Sequence, residues 1–189
     1  MGLCYSPSCF ATLFSLARTL IMMTMRVALF GYSSAGARAY RVLRLMGETV
    51  AAVFTHADAP GEVLWFEPVG RLARADGVPV HEVSPARVEG RAPYLPMVVA
   101  ARPDAILSAY FRTLIPPGVL AIPPRGSYNL HGSLLPRYRG RAPVNWVLVN
   151  GETETGMTLH HMTKAADAGD IVGQVRLAIG PDETAPELQ

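Results

Sequence analysis

Short β-rich apolar runs alternate with helix-patterned stretches along most of the chain, and this alternation limits the fold more than any other feature. Arg26-Val27-Ala28-Leu29-Phe30 reads as a buried strand that enters a turn at Gly31. Ala35 to Met46 carries helical spacing and stops at Gly47, a glycine placed as a C-terminal cap. Thr49 to Thr55 is a second strand, followed by the loop Asp58-Ala59-Pro60-Gly61 and an amphipathic helix from about Phe66 to Ala75. Val78-Pro79-Val80, Asp104 to Ser108, Ser127 to Leu130, Thr155 to His160 and Ile171 to Ile179 complete the expected strands. Met97 to Ala101 and Ala142 to Asn150 are expected helices between them. The pattern predicts a doubly wound, mainly parallel, Rossmann-like α/β sheet, without repeats or an interdomain linker. In such sheets ligands bind outside the carboxyl ends of the strands, where the strand order switches.

Half of the 189 residues are apolar and 17% are charged, enough to fill a core and the reverse of a disordered composition. The net charge of +2 argues against a whole-domain grip on nucleic acid and leaves only a local basic patch. The sole cysteines are Cys4 and Cys9, so the chain beyond Phe10 has no disulfide scaffold, cysteine zinc site or cysteine nucleophile.

The first 24 residues differ from the rest. Cys9 to Met23 is mostly apolar with Arg18 in its middle, unlike a signal peptide, and is too short and interrupted to span a bilayer. Met1-Gly2 with Ser6 fits a myristoylation pattern, with Cys4 as a second acylation site. The competing reading is an extension outside the fold, because Met25 opens a clean first strand. Residues 1–24 are accordingly expected to stand apart from a domain of residues 25–189.

The first turn, Gly31-Tyr32-Ser33-Ser34-Ala35-Gly36, has Ser33 where a dinucleotide fingerprint needs its middle glycine, so an NAD role finds little support. Asn129 and His131 are two residues apart at the end of a strand, and the period of two puts both side chains on one face. An amide donor beside an imidazole suits acyl transfer, the amide for an oxyanion and the ring for protons. The same spacing also describes a polar, solvated strand end. Arg137, Arg139 and Arg141 with Tyr138 form a basic cluster that either holds a phosphate or carboxylate or lies solvated on a loop. His160 and His161 are neighbours on a strand, one expected buried and one exposed, and His56 and His81 read as loop histidines. No spacing suggests a metal site.

Asn129-Leu130-His131-Gly132-Ser133-Leu134-Leu135-Pro136-Arg137-Tyr138-Arg139-Gly140, followed by Ala142-Pro143, resembles the signature of the 10-formyltetrahydrofolate-dependent formyltransferases. Glu154-Thr155-Gly156 and Asp167-Ala168-Gly169-Asp170 continue the likeness, which spans about Met25 to Gln189. The resemblance implies a Rossmann-like catalytic domain using 10-formyltetrahydrofolate as formyl donor, with no metal, acting in the cytoplasm and not at a membrane. It also implies a further helix and a smaller C-terminal domain beyond Gln189. In their absence Val172, Val175 and Leu177 are expected to be exposed.

Position by position, the likeness makes Asn129 the oxyanion-stabilising asparagine, His131 the catalytic histidine and Asp167 its aspartate. The residues alone do not choose Asp167 over Asp170. Folate contacts are implied for Thr113, Leu114, Ile115 and Arg141, and for Thr163, Lys164, Ala165, Ala166 and Asp167. Thr113 stands where the family commonly has histidine. The stretch from Gly140 to Gly156 resembles the branch that formylates nucleotide-linked amino sugars such as UDP-4-amino-4-deoxy-L-arabinose, a lipid A modification. The partner implied is a small-molecule amine, a UDP-sugar. Rival readings are formylation of initiator methionyl-tRNA, of glycinamide ribonucleotide, and a non-catalytic folate- or nucleotide-binding fragment.

Overall fold

The computed structural model describes residues 24–58, 61, 64–83 and 92–188. The extension before Thr24, with its acylation pattern, and Ala59-Pro60 of the expected loop lie outside the described residues. Seven strands form one sheet: β1 (Arg26–Gly31), β2 (Thr49–Thr55), β3 (Val80–Glu82), β4 (Ala105–Ala109), β5 (Ser127–His131), β6 (Glu154–His161) and β7 (Ile171–Ala178). The described helices are α1 (Ser33–Leu45), α2 (Val69–Ala75), α3 (Leu95–Ala101), α4 (Pro117–Leu120), α5 (Pro143–Val149) and α6 (Ala185–Leu188).

The strand order is β3-β2-β1-β4-β5-β6-β7. The first five run parallel, β6 is antiparallel to β5, and β7 is antiparallel to β6. This is the doubly wound, mainly parallel sheet that the alternation predicts, and its order reverses between β1 and β4.

Each face of the sheet has its own apolar layer. Ala28, Phe30, Phe54 and Ile106 pack with Tyr94, Val98 and Val119 on one side. Leu29, Val53 and Ala109 pack with Tyr40, Val69 and Ala73 on the other. Burial on both faces explains why β1 and β2 read as continuous apolar runs instead of alternating ones. Phe30 stacks on Phe54 with ring centroids 4.5 Å apart. Each such buried ring contributes roughly 1.5–3 kcal/mol by removal from water.

Several boundaries differ from expectation for local reasons. β3 begins at Val80, not Val78, because Pro79 has no N–H to donate, although its carbonyl accepts from Val53 N–H at 2.8 Å. α2 begins at Val69 because the residue preceding Pro68 is held out of helical geometry, and Pro68 itself is the extended N-cap. The four-residue α4, opened by Pro116-Pro117, carries no helical periodicity and was not anticipated. His81 belongs to β3, stacked on Phe54 at 5.0 Å. His56 lies in the loop just past β2, as expected, and is buried there. Val172, Val175 and Leu177 on β7 are exposed among the described residues, as expected.

Candidate active site

Two features bring the site together at the carboxyl end of β5. The first is strand register. Asn129 pairs with His160 and His131 with Thr158 across the antiparallel β5–β6 pair, so all four side chains share one face. The second is the loop between β6 and β7, which folds back over that face. Its Asp170 carbonyl accepts from His161 N–H at 2.9 Å. A Cβ on Gly169 would lie 1.9 Å from the His161 carbonyl oxygen, so only glycine permits this return. The loop delivers Asp167, whose side chain is largely buried.

Asp167 is the hub. Its Oδ2 accepts from Gly140 N–H at 2.8 Å and lies 3.5 Å from His131 Nδ1. Its Oδ1 accepts from Asn129 Nδ2 at 3.3 Å and lies 3.4 Å from His160 Nε2. Burial by itself would push the carboxyl up. The His160 contact, the Gly140 N–H and the charges on both histidines outweigh it and hold Asp167 below its ordinary value.

His131 donates from Nε2 to the Tyr138 carbonyl at 2.8 Å, because a carbonyl only accepts. With Nε2–H so placed and Nδ1 facing a carboxylate, the doubly protonated ring satisfies both sides at once. His160 donates from Nδ1 to the His161 carbonyl at 2.9 Å. Its Nε2, 3.2 Å from Asn129 Nδ2, then accepts from that amide when the ring is neutral.

Backbone strain concentrates around this cluster. Tyr110, Tyr138, Ala142 and Asp167 are non-glycine residues with φ of +58°, +57°, +53° and +48°. Such positions cost on the order of 1–3 kcal/mol each and gather where surrounding structure enforces a functional geometry. Tyr138 presents the carbonyl that His131 uses, and Ala142 opens α5. The Tyr110 hydroxyl lies over Gly132, where a Cβ would be 2.5 Å away.

The other sequence-predicted positions take varied places. Arg141 is exposed next to Gly140, and Lys164, Ala165 and Ala166 are exposed in the loop leading to Asp167. Thr163 Oγ1 donates to the Ala165 carbonyl at 3.0 Å, a turn internal to that loop. Thr113 Oγ1 is buried with no hydrogen-bond partner among the described residues, an orphan suited to a ligand. Leu114 is exposed, whereas the Ile115 side chain packs into the core and leaves only its backbone for contact. Arg137 is committed to Glu152, so it is not a free anion clamp.

The residue that sequence reasoning missed is His160. It is fully buried and touches both Asn129 and Asp167. Alternation shows that one of His160 and His161 is buried, but the register that sets His160 opposite Asn129 is a long-range fact. Among the described residues, no group of three or more His, Cys, Asp or Glu is arranged to hold a metal, and no helix is long and apolar enough to cross a membrane.

A doubly wound α/β sheet with an amide–imidazole–carboxylate cluster at a strand's carboxyl end is an arrangement suited to acyl-group transfer. Residues 25–189 match the family described as formyl transferase, and the chain belongs to that family. Similar solved structures include a phosphoribosylglycinamide formyltransferase from Bacillus halodurans, at 22% identity and TM-score 0.71, covering 86% of this chain and 84% of that one. A glycinamide ribonucleotide transformylase from Geobacillus kaustophilus is 26% identical with TM-score 0.70, covering 87% and 88%. A formyltetrahydrofolate deformylase from Pseudomonas syringae is 20% identical with TM-score 0.70, covering 98% of this chain and 65% of that one. The first and third likenesses speak for the fold alone.

Proposed function

We propose that this chain transfers the formyl group of 10-formyltetrahydrofolate to a primary amine of a nucleotide-linked amino sugar, in the cytoplasm, with residues 25–189 as the catalytic unit. The observation that carries formyl transfer is the convergence of Asn129 and His131 on Asp167. The amine nitrogen attacks the formyl carbon, and the carbonyl oxygen becomes an oxyanion. Asn129 Nδ2 and the His131 ring donate to that oxygen, exchanging contacts they now make with Asp167. Collapse breaks the bond from the formyl carbon to the folate N10, which takes up a proton as the amine nitrogen loses one. The products are the N-formyl amine and tetrahydrofolate. Asp167 balances positive charge on His131, and His160 orients the Asn129 amide.

Thr113, Leu114 and Ile115 beyond β4, Arg141, and Thr163 through Asp167 are the proposed folate contacts, with Leu114 and Ile115 acting through backbone. The orphaned Thr113 hydroxyl supports this assignment. The sugar-nucleotide acceptor rests on the likeness of the Gly140 to Gly156 stretch to that branch. A glycinamide ribonucleotide acceptor is the second reading, favoured by the named activity of the similar Geobacillus kaustophilus structure.

Incubation with the formyl donor and, in turn, a UDP-amino sugar, glycinamide ribonucleotide, methionyl-tRNA or water separates the readings. Formylation of the UDP-amino sugar with kcat/KM at least 100-fold above the others is expected. Turnover confined to glycinamide ribonucleotide or charged tRNA would overturn the acceptor assignment, and formate release alone would replace transfer by hydrolysis.

A further inference from the structure

The acceptor on His131 Nε2 is a backbone carbonyl in an unfavourable conformation. Tyr138, which supplies it at 2.8 Å, sits at φ +57°, in the left-handed region that a residue with a Cβ enters only at a cost. A residue stays there when its surroundings over-determine it. The chain on one side of Tyr138 is held by Ser133 Oγ, which donates to the Arg137 carbonyl at 2.7 Å. On the other side Asp167 Oδ2 accepts from Gly140 N–H at 2.8 Å. Tyr138 itself, between those two points, is held by its side chain.

The Tyr138 hydroxyl donates to Glu152 Oε1 and accepts from Asn150 Nδ2 at 3.1 Å. Both partners come from the far end of α5. Asn150 is the C-cap of that helix, and Gly151 turns the chain at φ +65°. Glu152 N–H then donates to the Val147 carbonyl at 3.0 Å, which aims the Glu152 carboxylate back at the loop that follows β5. The Glu152 side chain is mostly buried, and its Oε1 also pairs with the Arg137 guanidinium. A carboxylate oxygen that accepts from a hydroxyl and a guanidinium together is a strong anchor. Among the described residues the Glu152 carboxylate bonds to Arg137 and Tyr138, and to no side chain of the Asn129, His131, His160 and Asp167 cluster.

The chemistry of His131 depends on the anchored carbonyl. A carbonyl only accepts, so Nε2 keeps its proton while that carbonyl is in place. The proton that His131 exchanges is then the one on Nδ1, the nitrogen 3.5 Å from the carboxylate that also accepts from Asn129. With the carbonyl displaced, both ring nitrogens compete for the proton and the ring is free to turn. The fraction of molecules with Nδ1 ready to act then falls.

We propose that Glu152 is a positioning residue for formyl transfer: through the Tyr138 side chain it fixes the Tyr138 carbonyl on His131 Nε2 and so reserves Nδ1 for proton exchange. This assignment rests on the formyl-transfer reading above and holds for any acceptor amine. Steady-state kinetics on the amines named above, together with the nitrogen-15 signals of the His131 imidazole, test it in the full chain and in Glu152→Ala, Glu152→Gln and Tyr138→Phe. The signals are assigned by their loss in His131→Ala. Glu152→Ala and Tyr138→Phe should each lower kcat about 10–100-fold, with both KM values within about twofold of the parent's, the pattern of a geometry lost in the transition state. In both, the His131 Nε2–H signal should shift and exchange faster with solvent. Glu152→Gln keeps an acceptor oxygen for the hydroxyl, so its kcat should return to within about threefold of the parent's. Tyr138→Phe removes one oxygen and keeps the ring packed, so it carries the test if circular dichroism shows Glu152→Ala unfolded. If the parent formylates an amine but Tyr138→Phe keeps both its kcat and its His131 signals, the positioning role fails while formyl transfer stands. Equal losses in Glu152→Gln and Glu152→Ala with unmoved His131 signals would also overturn it, since only the Arg137 ion pair would then matter. If the parent formylates no amine, the functional reading and the positioning role fail together.

Discussion

At the scale of single residues, His131 has an acceptor at each ring nitrogen, the Tyr138 carbonyl and the Asp167 carboxylate. A ring so held is oriented before any substrate arrives, which is what a general acid–base group needs. His131→Ala should lower kcat by about 10²–10⁴ and Asn129→Ala by about 10²–10³, the usual losses for a proton-transfer group and an oxyanion donor. Both variants should keep the far-UV circular dichroism of the parent. Near-parental turnover by either folded variant would remove it from the mechanism. Asp167→Asn keeps the size of the side chain but deletes the charge that faces both histidines. Its kcat should fall, and the acidic limb of the pH–rate profile should move, because the charged ring loses its counter-ion. A profile superimposable on the parent's would leave Asp167 a structural part. The pairing of Asn129 with His131 was legible from a spacing of two at a strand end, and the choice of Asp167 came only from the motif. His160 was not legible, since its role depends on which residue of β5 it opposes.

At the scale of elements, one hydroxyl ties three segments around the site. Thr158 Oγ1, fully buried on β6, donates to the Ser133 carbonyl at 2.6 Å. It accepts from Leu135 N–H at 3.1 Å and from Gln174 Nε2 of β7 at 2.9 Å. Thr158→Val preserves shape but strands a buried amide N–H and a side-chain amide. The expected loss is about 1–3 kcal/mol of unfolding free energy, read from the denaturant midpoint. A change under about 0.5 kcal/mol would mean that these donors find other partners. The elements were legible where their signal is local, as in the apolar runs of β1 and β2. Boundaries slipped where proline intervened, at Pro68 and Pro79, because its missing N–H and steric reach act on neighbours. Near the C-terminus α6 is a single short turn. Thr184 caps it, with Glu187 Oε2 accepting from Thr184 N–H at 2.9 Å and from its hydroxyl at 2.6 Å.

At the scale of the whole molecule, the family match and the first strand both begin at about residue 25. Deleting residues 1–24 should therefore leave the melting temperature within a few degrees of the parent, and a larger drop would show that the extension packs on the domain. Stability toward acid should fall in two separate windows. His56 is buried, with Nδ1–H donating to the Val83 carbonyl at 2.8 Å and Nε2 accepting from Arg112 N–H at 3.1 Å, an arrangement that only the neutral ring satisfies. Burial chiefly, with the nearby Arg112 charge, holds it below its ordinary value of 6.5 despite the Val83 bond, and burial lowers His81 in the same sense. As pH drops below 6.5 the unfolded chain takes up these protons first, so unfolding free energy declines, by at most about 1.4 kcal/mol per pH unit for each proton. Asp167 acts lower on the scale. Its folded carboxyl is held below 3.8, so its contribution is present above that value and is lost only as pH falls through the depressed one. Denaturant titrations of the parent between pH 7 and 5 should accordingly show a decline that Asp167→Asn leaves in place and His56→Gln reduces. His56→Gln costs stability at every pH, since it gives up a packed ring, so the slope and not the midpoint is the test. A His56→Gln slope equal to the parent's would show that the buried ring does not couple folding to protons in this range.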